Sequence, residues 1–165
     1  MGNKTIFTSI MLVALAAAAV AQTKISGTSQ CAKPDPQHMI QVGDHPNHAY
    51  AISQSKCTWT KPYEVGGTQA KDDVVTAFDE INGDKSRNHG LVSNTMANGD
   101  KAHVSFQGTA TLKDGAPQTS EGKWRFTSGT GKLKGIKGSG TYKGKGSPDG
   151  VTFEIEGEYT LPSPK

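Results

Sequence analysis

Apolar and polar residues alternate with a period of two along much of the chain. In residues 102–112, AHVSFQGTATL, the residues Val104, Phe106, Ala110 and Leu112 share one face. His103, Ser105, Gln107, Thr109 and Thr111 share the other. In residues 151–161, VTFEIEGEYTL, Val151, Phe153, Ile155, Tyr159 and Leu161 alternate with Thr152, Glu154, Glu156, Glu158 and Thr160. Successive side chains of a strand point to opposite sides, so this pattern predicts strands with one buried face. Residues 119–128 set Trp124 and Phe126 against Lys123 and Arg125, and weaker candidates run through 37–42, 49–60, 72–81 and 88–96. Only 70–81, AKDDVVTAFDEI, could pass for a helix. The β-branched pair Val74-Val75 and the Asn-Gly that follows favour a strand there.

Turn chemistry punctuates these segments. Gly43-Asp44-His45-Pro46-Asn47, Asn82-Gly83-Asp84, Asn98-Gly99-Asp100, Asp114-Gly115 and Ser147-Pro148-Asp149-Gly150 all suit tight reversals. Asn-Gly and Asp-Gly tolerate the positive φ that hairpin turns demand. About eight strands joined by short turns predict an all-β fold, an antiparallel barrel or sandwich.

Residues 128–146, SGTGKLKGIKGSGTYKGKG, hold seven glycines and five lysines. A dinucleotide loop would need a helix after its glycines, and the segment from Leu133 to Gly146 is too glycine-rich for one. The Gly-Lys-Ser/Thr order of a phosphate-binding P-loop is missing as well. A hairpin closed at 147–150 explains the composition better. It would set Gly146 opposite Val151, Gly144 opposite Phe153, Tyr142 opposite Ile155 and Gly140 opposite Gly157. The glycines then occupy the apolar face, leaving room for large aromatics. The lysines take the other face, with Lys143 opposite Glu154. Gly129 to Gly138 becomes a corner between two long strands.

The stretch W-x-F-T-x-G-T-G-K-L-K-G-I-K-G-S-G-T-Y, Trp124 to Tyr142, resembles a motif of the allene oxide cyclase-like barrel superfamily. It is most similar to small secreted bacterial proteins of unknown function placed there. In those proteins such a corner joins two barrel strands. Here Ser128 stands where a first glycine is frequent, and Leu133 where an aromatic is common. The resemblance spans roughly residues 38–161, with its specific portion at 124–142. It implies an eight-stranded antiparallel barrel of allene oxide cyclase/dirigent-like type with an interior cavity, and it carries over no catalytic residue. Phe106, Trp124, Phe126, Tyr142, Phe153, Ile155 and Tyr159 are the candidate lining of that interior.

The beginning of the chain is of a different kind. Lys4 precedes the apolar run Ile6 to Val20, and Ala19-Val20-Ala21 has the form of a signal-peptidase site. Residues 1–21 therefore read as a secretory signal, 22–36 as a polar arm, and 37–165 as a single barrel domain. Loss of Lys4 lowers the formal charge of +3 by one. So small a charge gives no argument for nucleic acid, and nothing after residue 21 is apolar enough to span a membrane. Cys31 and Cys57 are the two cysteines, and in an exported chain an even pair implies a disulfide. Export, to the periplasm or beyond the cell, is the expected localisation.

Candidate chemistry is sparse. His45-Pro46-Asn47-His48 contains two potential metal ligands, but Pro46 and Asn47 mark a turn, so these read as surface histidines and no metal is expected. His103 and its polar neighbours read as an outer face. Asp72-Asp73 and Asp79-Glu80 could supply paired carboxylates, yet their position beside turns reads as solvated. No Ser-His-Asp or Cys-His arrangement is discernible, and no cofactor is implied. The function expected is binding of a small apolar or amphipathic molecule inside the barrel. The alternative is a cofactor-free isomerase or cyclase, which would need a carboxylate or polar cluster facing the cavity. A homo-oligomer formed through one barrel face is a further option.

Overall fold

The computed structural model describes residues 22–162. The alternating segments form long strands, and hairpin turns between most of them make their pairing antiparallel. In chain order they are β1 (Thr23–Ala32), β2 (Gln37–Gln41), β3 (His48–Lys61), β4 (Glu64–Val65), β5 (Thr68–Asn82), β6 (Lys85–Met96), β7 (Lys101–Lys113), β8 (Ala116–Gly129), β9 (Lys137–Ser147) and β10 (Gly150–Thr160). Residues 70–81 lie within β5 and are strand throughout.

Eight of the strands close into a barrel. The order runs β3-β1-β10-β9-β8-β7-β6-β5, and β5 pairs back onto β3. Closure removes the free edges that an open sheet would expose. The other two strands are accessory. β2 pairs with Ala49–Ser53 of β3, beyond the point where β1 pairs with Cys57–Lys61. β4 makes a short ladder with the start of β5.

The hairpin between β9 and β10 has the register that the glycine pattern predicts. Gly146 faces Val151, Gly144 faces Phe153, Tyr142 faces Ile155 and Gly140 faces Gly157. A β-carbon on Gly140 would lie 2.7 Å from Cζ2 of Trp124, so the indole needs that bare backbone. Lys143 sits between Glu154 of β10 and Glu121 of β8, on the exposed face. At the β7–β8 turn Asp114 and Gly115 both take positive φ, 52° and 78°, as a two-residue hairpin requires.

One end of the barrel is plugged. After β8, residues Gly131–Leu133 form a single 3-10 turn. Leu133 and Ile136 drop from this corner into the barrel end, where they are 0% and 3% exposed. They pack with Tyr63, Val65, Met96 and Trp124 in the main apolar cluster. The corner is tied down by Asp100, whose Oδ2 accepts from the Lys132 N–H at 3.0 Å, and by Thr130, whose Oγ1 accepts from the Lys101 N–H at 2.8 Å.

The N-terminal stretch departs from expectation. Residues 22–36 do not form a separate arm, because β1 is a full stave of the barrel. Ile25, Ser29 and Cys31 point inward, and pairing with both β3 and β10 satisfies the backbone. Alternating small and polar residues suffice for a strand that is paired on both edges. Cys31 and Cys57 lie directly opposite each other on β1 and β3 and form the disulfide. The expected signal, residues 1–21, lies outside the described residues. Among the described residues no helix is long and apolar enough to cross a membrane.

Large apolar side chains also lie outside the barrel. Ile40, Tyr50, Ile52, Val74, Phe78 and Leu91 are exposed on β2, β3, β5 and β6. Register joins them into one stripe, with Ile40 opposite Tyr50, Ile52 opposite Phe78 and Thr76 opposite Leu91.

Candidate functional site

The barrel encloses a cavity of about 510 Å³, within the range of small-molecule pockets. It is closed below by the Leu133 corner. At its other end the lining includes Lys33, Pro34, Ala116 and Pro117, all exposed, so the interior meets solvent there.

The wall is two-sided. Strands β7 to β10 contribute Val104, Phe106, Trp124, Phe126, Tyr142, Phe153 and Ile155. The rings meet edge to face, with centroids 5.2 Å apart for Trp124–Phe126, 5.9 Å for Tyr142–Phe153 and 6.2 Å for Phe106–Tyr142. Glycines make this possible. A β-carbon on Gly122 would lie 2.6 Å from Tyr142 Cε1, and one on Gly144 the same distance from Phe153 Cε1.

Strands β3, β5 and β6 supply the opposite wall, where polar side chains are interspersed with Trp59, Val75, Ala77, Ile81 and Val92. Ser53, Ser55, Asp73, Asp79, Ser86, Asn88 and Asn94 line it. Asp73 is 6% exposed and lies opposite Asn94 on β6 and Cys57 on β3. Its carboxylate accepts from the Asn94 amide, and the Asn94 oxygen accepts from the Tyr63 hydroxyl at 3.0 Å. Burial pushes the Asp73 carboxyl up to about 6, against the pull of the nearby Trp59 indole N–H and the Asn94 amide. That indole nitrogen is buried with no acceptor at hydrogen-bonding geometry. Burial, and then the charge of Asp73, hold the Tyr63 hydroxyl protonated well above its usual range.

A second carboxyl lies further along the same inward row, near the mouth. Burial raises Asp79 above the usual carboxylate range, opposed by the Ser86 hydroxyl that donates to it at 3.3 Å and by His89. Across the cavity Tyr142 donates to Asn88 Oδ1 at 3.1 Å, and burial pushes its hydroxyl up to about 12. The interior thus offers buried hydroxyls, amides and two carboxyls with a raised preference for the protonated form, all facing aromatic rings.

Of the seven residues expected to line the interior, Phe106, Trp124, Phe126, Tyr142, Phe153 and Ile155 border the cavity. Tyr159 does not. It packs against the plugged end, where its hydroxyl accepts from the Gly66 N–H at 3.3 Å. Asp73 and Asp79 correct the expectation of solvated carboxylates. The inward row of β5 is Asp73, Val75, Ala77, Asp79 and Ile81, while Val74 and Phe78 face solvent. The only sequence signal for this was the ambiguous pairing of Val74 with Val75. His103 and Ser105 lie outside the cavity lining, on the side of β7 opposite Val104 and Phe106.

Fold and cavity together define a closed eight-stranded antiparallel barrel with an interior of small-molecule size. A solved structure with the same fold is a protein of unknown function of the DUF3224 family from Shewanella oneidensis MR-1. The TM-score is 0.50 at 12% sequence identity, covering 87% of this chain and 100% of that one. At this identity the likeness is one of fold. No protein-family model and no curated protein matches the chain.

Proposed function

We propose that the protein is an exported carrier or sensor barrel that binds one amphipathic small molecule, apolar on one side and hydrogen-bonding on the other. The two-sided wall carries this reading. Asp73, Asp79 and Asn94 are paired within the wall and still border the cavity, so a polar edge is held there without the cost of an unpaired buried group. A ligand with a hydroxyl, amine or carboxylic acid edge would meet partners on β3, β5 and β6, while its apolar body lay on Phe106, Tyr142 and Phe153. The Cys31–Cys57 disulfide supports an oxidising compartment. Native mass spectrometry of the protein purified from its own host's exported fraction tests the reading. A retained molecule with both faces supports it. A barrel that is empty and takes up no amphipathic probe in titration speaks against it.

The buried carboxyl favours a second reading, a cofactor-free isomerase or cyclase, which fits the resemblance to the allene oxide cyclase-like superfamily. A carboxyl with a pKa of about 6 can exchange a proton near neutral pH, as general acid–base catalysis requires. Conversion of the retained molecule to an isomer by the native protein, lost in Asp73→Asn with binding kept, would select this reading over simple binding.

A further inference from the structure

The turn between β2 and β3 gathers three metal-ligating side chains away from the cavity. Asp44, His45 and His48 each present one ligand atom, and these atoms lie within 4.8 Å of one another. His48 Nδ1 is 2.7 Å from Asp44 Oδ1, and His45 Nδ1 is 3.0 Å from Asp44 Oδ2. The two imidazoles stack, with centroids 4.6 Å apart and planes 24° from parallel. None of the three lines the barrel interior.

The far ring nitrogens face β5. His45 Nε2 lies 3.3 Å from Asn82 Oδ1. His48 Nε2 is buried without a hydrogen-bond partner, and the nearest carboxylate oxygen, Glu80 Oε1, is 3.6 Å away. His48 Nδ1 shares a hydrogen bond with Asp44 Oδ1, and His45 Nδ1 lies against the other carboxylate oxygen. A single divalent ion satisfies all three groups at once.

We propose that Asp44, His45 and His48 bind a divalent first-row transition ion of the zinc class, through Asp44 Oδ and both Nδ1 atoms. Two imidazoles and a carboxylate suit such ions. The 2.7 and 3.0 Å separations run from the two Nδ1 atoms to different Asp44 oxygens, and they would open toward the roughly 3.3 Å edge of a tetrahedron with ~2.0 Å bonds as an ion enters. Asn82 lies within hydrogen-bond distance behind the His45 ring, and Glu80, 3.6 Å from His48 Nε2, is placed to take the same role behind a metal-bound His48, the usual one for a carboxylate or amide there. The backbone is already held in place, with the Val42 N–H donating to the His48 carbonyl at 2.9 Å and the Gly83 N–H to the Asn47 carbonyl at 3.0 Å. The open fourth position faces solvent and takes water. Bound metal would tie the overhanging β2–β3 hairpin to the end of β5.

The test is titration of the tag-free exported chain with zinc chloride by calorimetry, with cobalt(II) as a visible-absorption probe of tetrahedral geometry. One saturating ion per chain is expected, with cobalt bands displaced by zinc. His45→Ala and His48→Ala should each weaken zinc by tenfold or more, and Glu80→Gln by roughly tenfold. His103→Ala, on β7, should bind as the parent does. All four positions lie outside the main core, and circular dichroism would confirm folding. Absence of saturable binding, or binding unchanged in the His45→Ala/His48→Ala double variant, would overturn the proposal. An unchanged affinity in Glu80→Gln would remove Glu80 from it.

Discussion

Asp73 and Asn94 face each other across β5 and β6, and the Asn94 amide donates to the Asp73 carboxylate inside the barrel. The pair lies one strand from the disulfide, because Cys57 is the partner of Asp73 on β3. A carboxyl in this place makes stability depend on pH in an unusual direction. Its folded pKa of about 6 lies above the ordinary value of about 3.9. The folded chain therefore keeps a proton that the unfolded chain releases. The contribution of Asp73 is most favourable below about pH 4 and declines until about pH 6, by up to about 3 kcal/mol. Asp73→Asn, which keeps an acceptor for Asn94 and carries no charge, should raise the melting temperature at pH 7. It should also flatten its decline between pH 4 and 6. Thermal denaturation of both proteins across that window checks the sign, and a variant less stable than the parent at pH 7 would contradict it.

The disulfide closes a loop of sequence separation 26 and staples β1 to β3. Loop-closure entropy assigns it about 3 kcal/mol. Cys31→Ser with Cys57→Ser should lower stability by about that amount in urea titration. The parent under reducing conditions should match the variant.

Both tryptophans of the chain, Trp59 and Trp124, border the cavity. Intrinsic fluorescence is thus a direct reporter of its contents, and a bound amphipathic probe should shift or quench it. Gly144→Ala is the matching perturbation. Its methyl group would press on the edge of Phe153 and on Ser120, and Phe153 borders the cavity. The variant should fold, lose about 1–3 kcal/mol to overpacking and bind the probe more weakly. Equal probe affinity in parent and variant would show that Phe153 is not part of the binding wall.

Leu133 seals the barrel end with no exposed surface. Leu133→Ala should cost about 2–5 kcal/mol through the void it leaves. Measured by denaturant unfolding, a loss well under 1 kcal/mol would mean that the corner collapses to refill the plug.

The strands are legible because their physics is local. Alternation in 102–112 and 151–161 specifies a half-buried strand wherever the sheet lies. The Ser147–Gly150 turn then sets which glycine faces which aromatic, because hairpin register follows from the turn. Lys143 meets Glu154 by the same rule. β1 is harder to read, since its inward residues are mostly small and its strand character rests on partners at both edges. The turn at 43–47 is plain from its own residues, but the approach of Glu80 and Asn82 to its histidines depends on β5 pairing with β3.

From sequence alone follow an all-β chain, its hairpins, the β9–β10 register and the cysteine pair, all set by neighbours or by a short turn. Tertiary structure alone decided which face of β5 turns inward. A bulge between Ala70 and Asp72 shifts its pairing with β6, and closure against β3 commits Asp73 and Asp79 to the interior while Val74 and Phe78 face water. Local hydrophobicity does not choose between the faces of β5, because both carry apolar residues. The face that becomes the inside is fixed by which strands meet when the barrel closes.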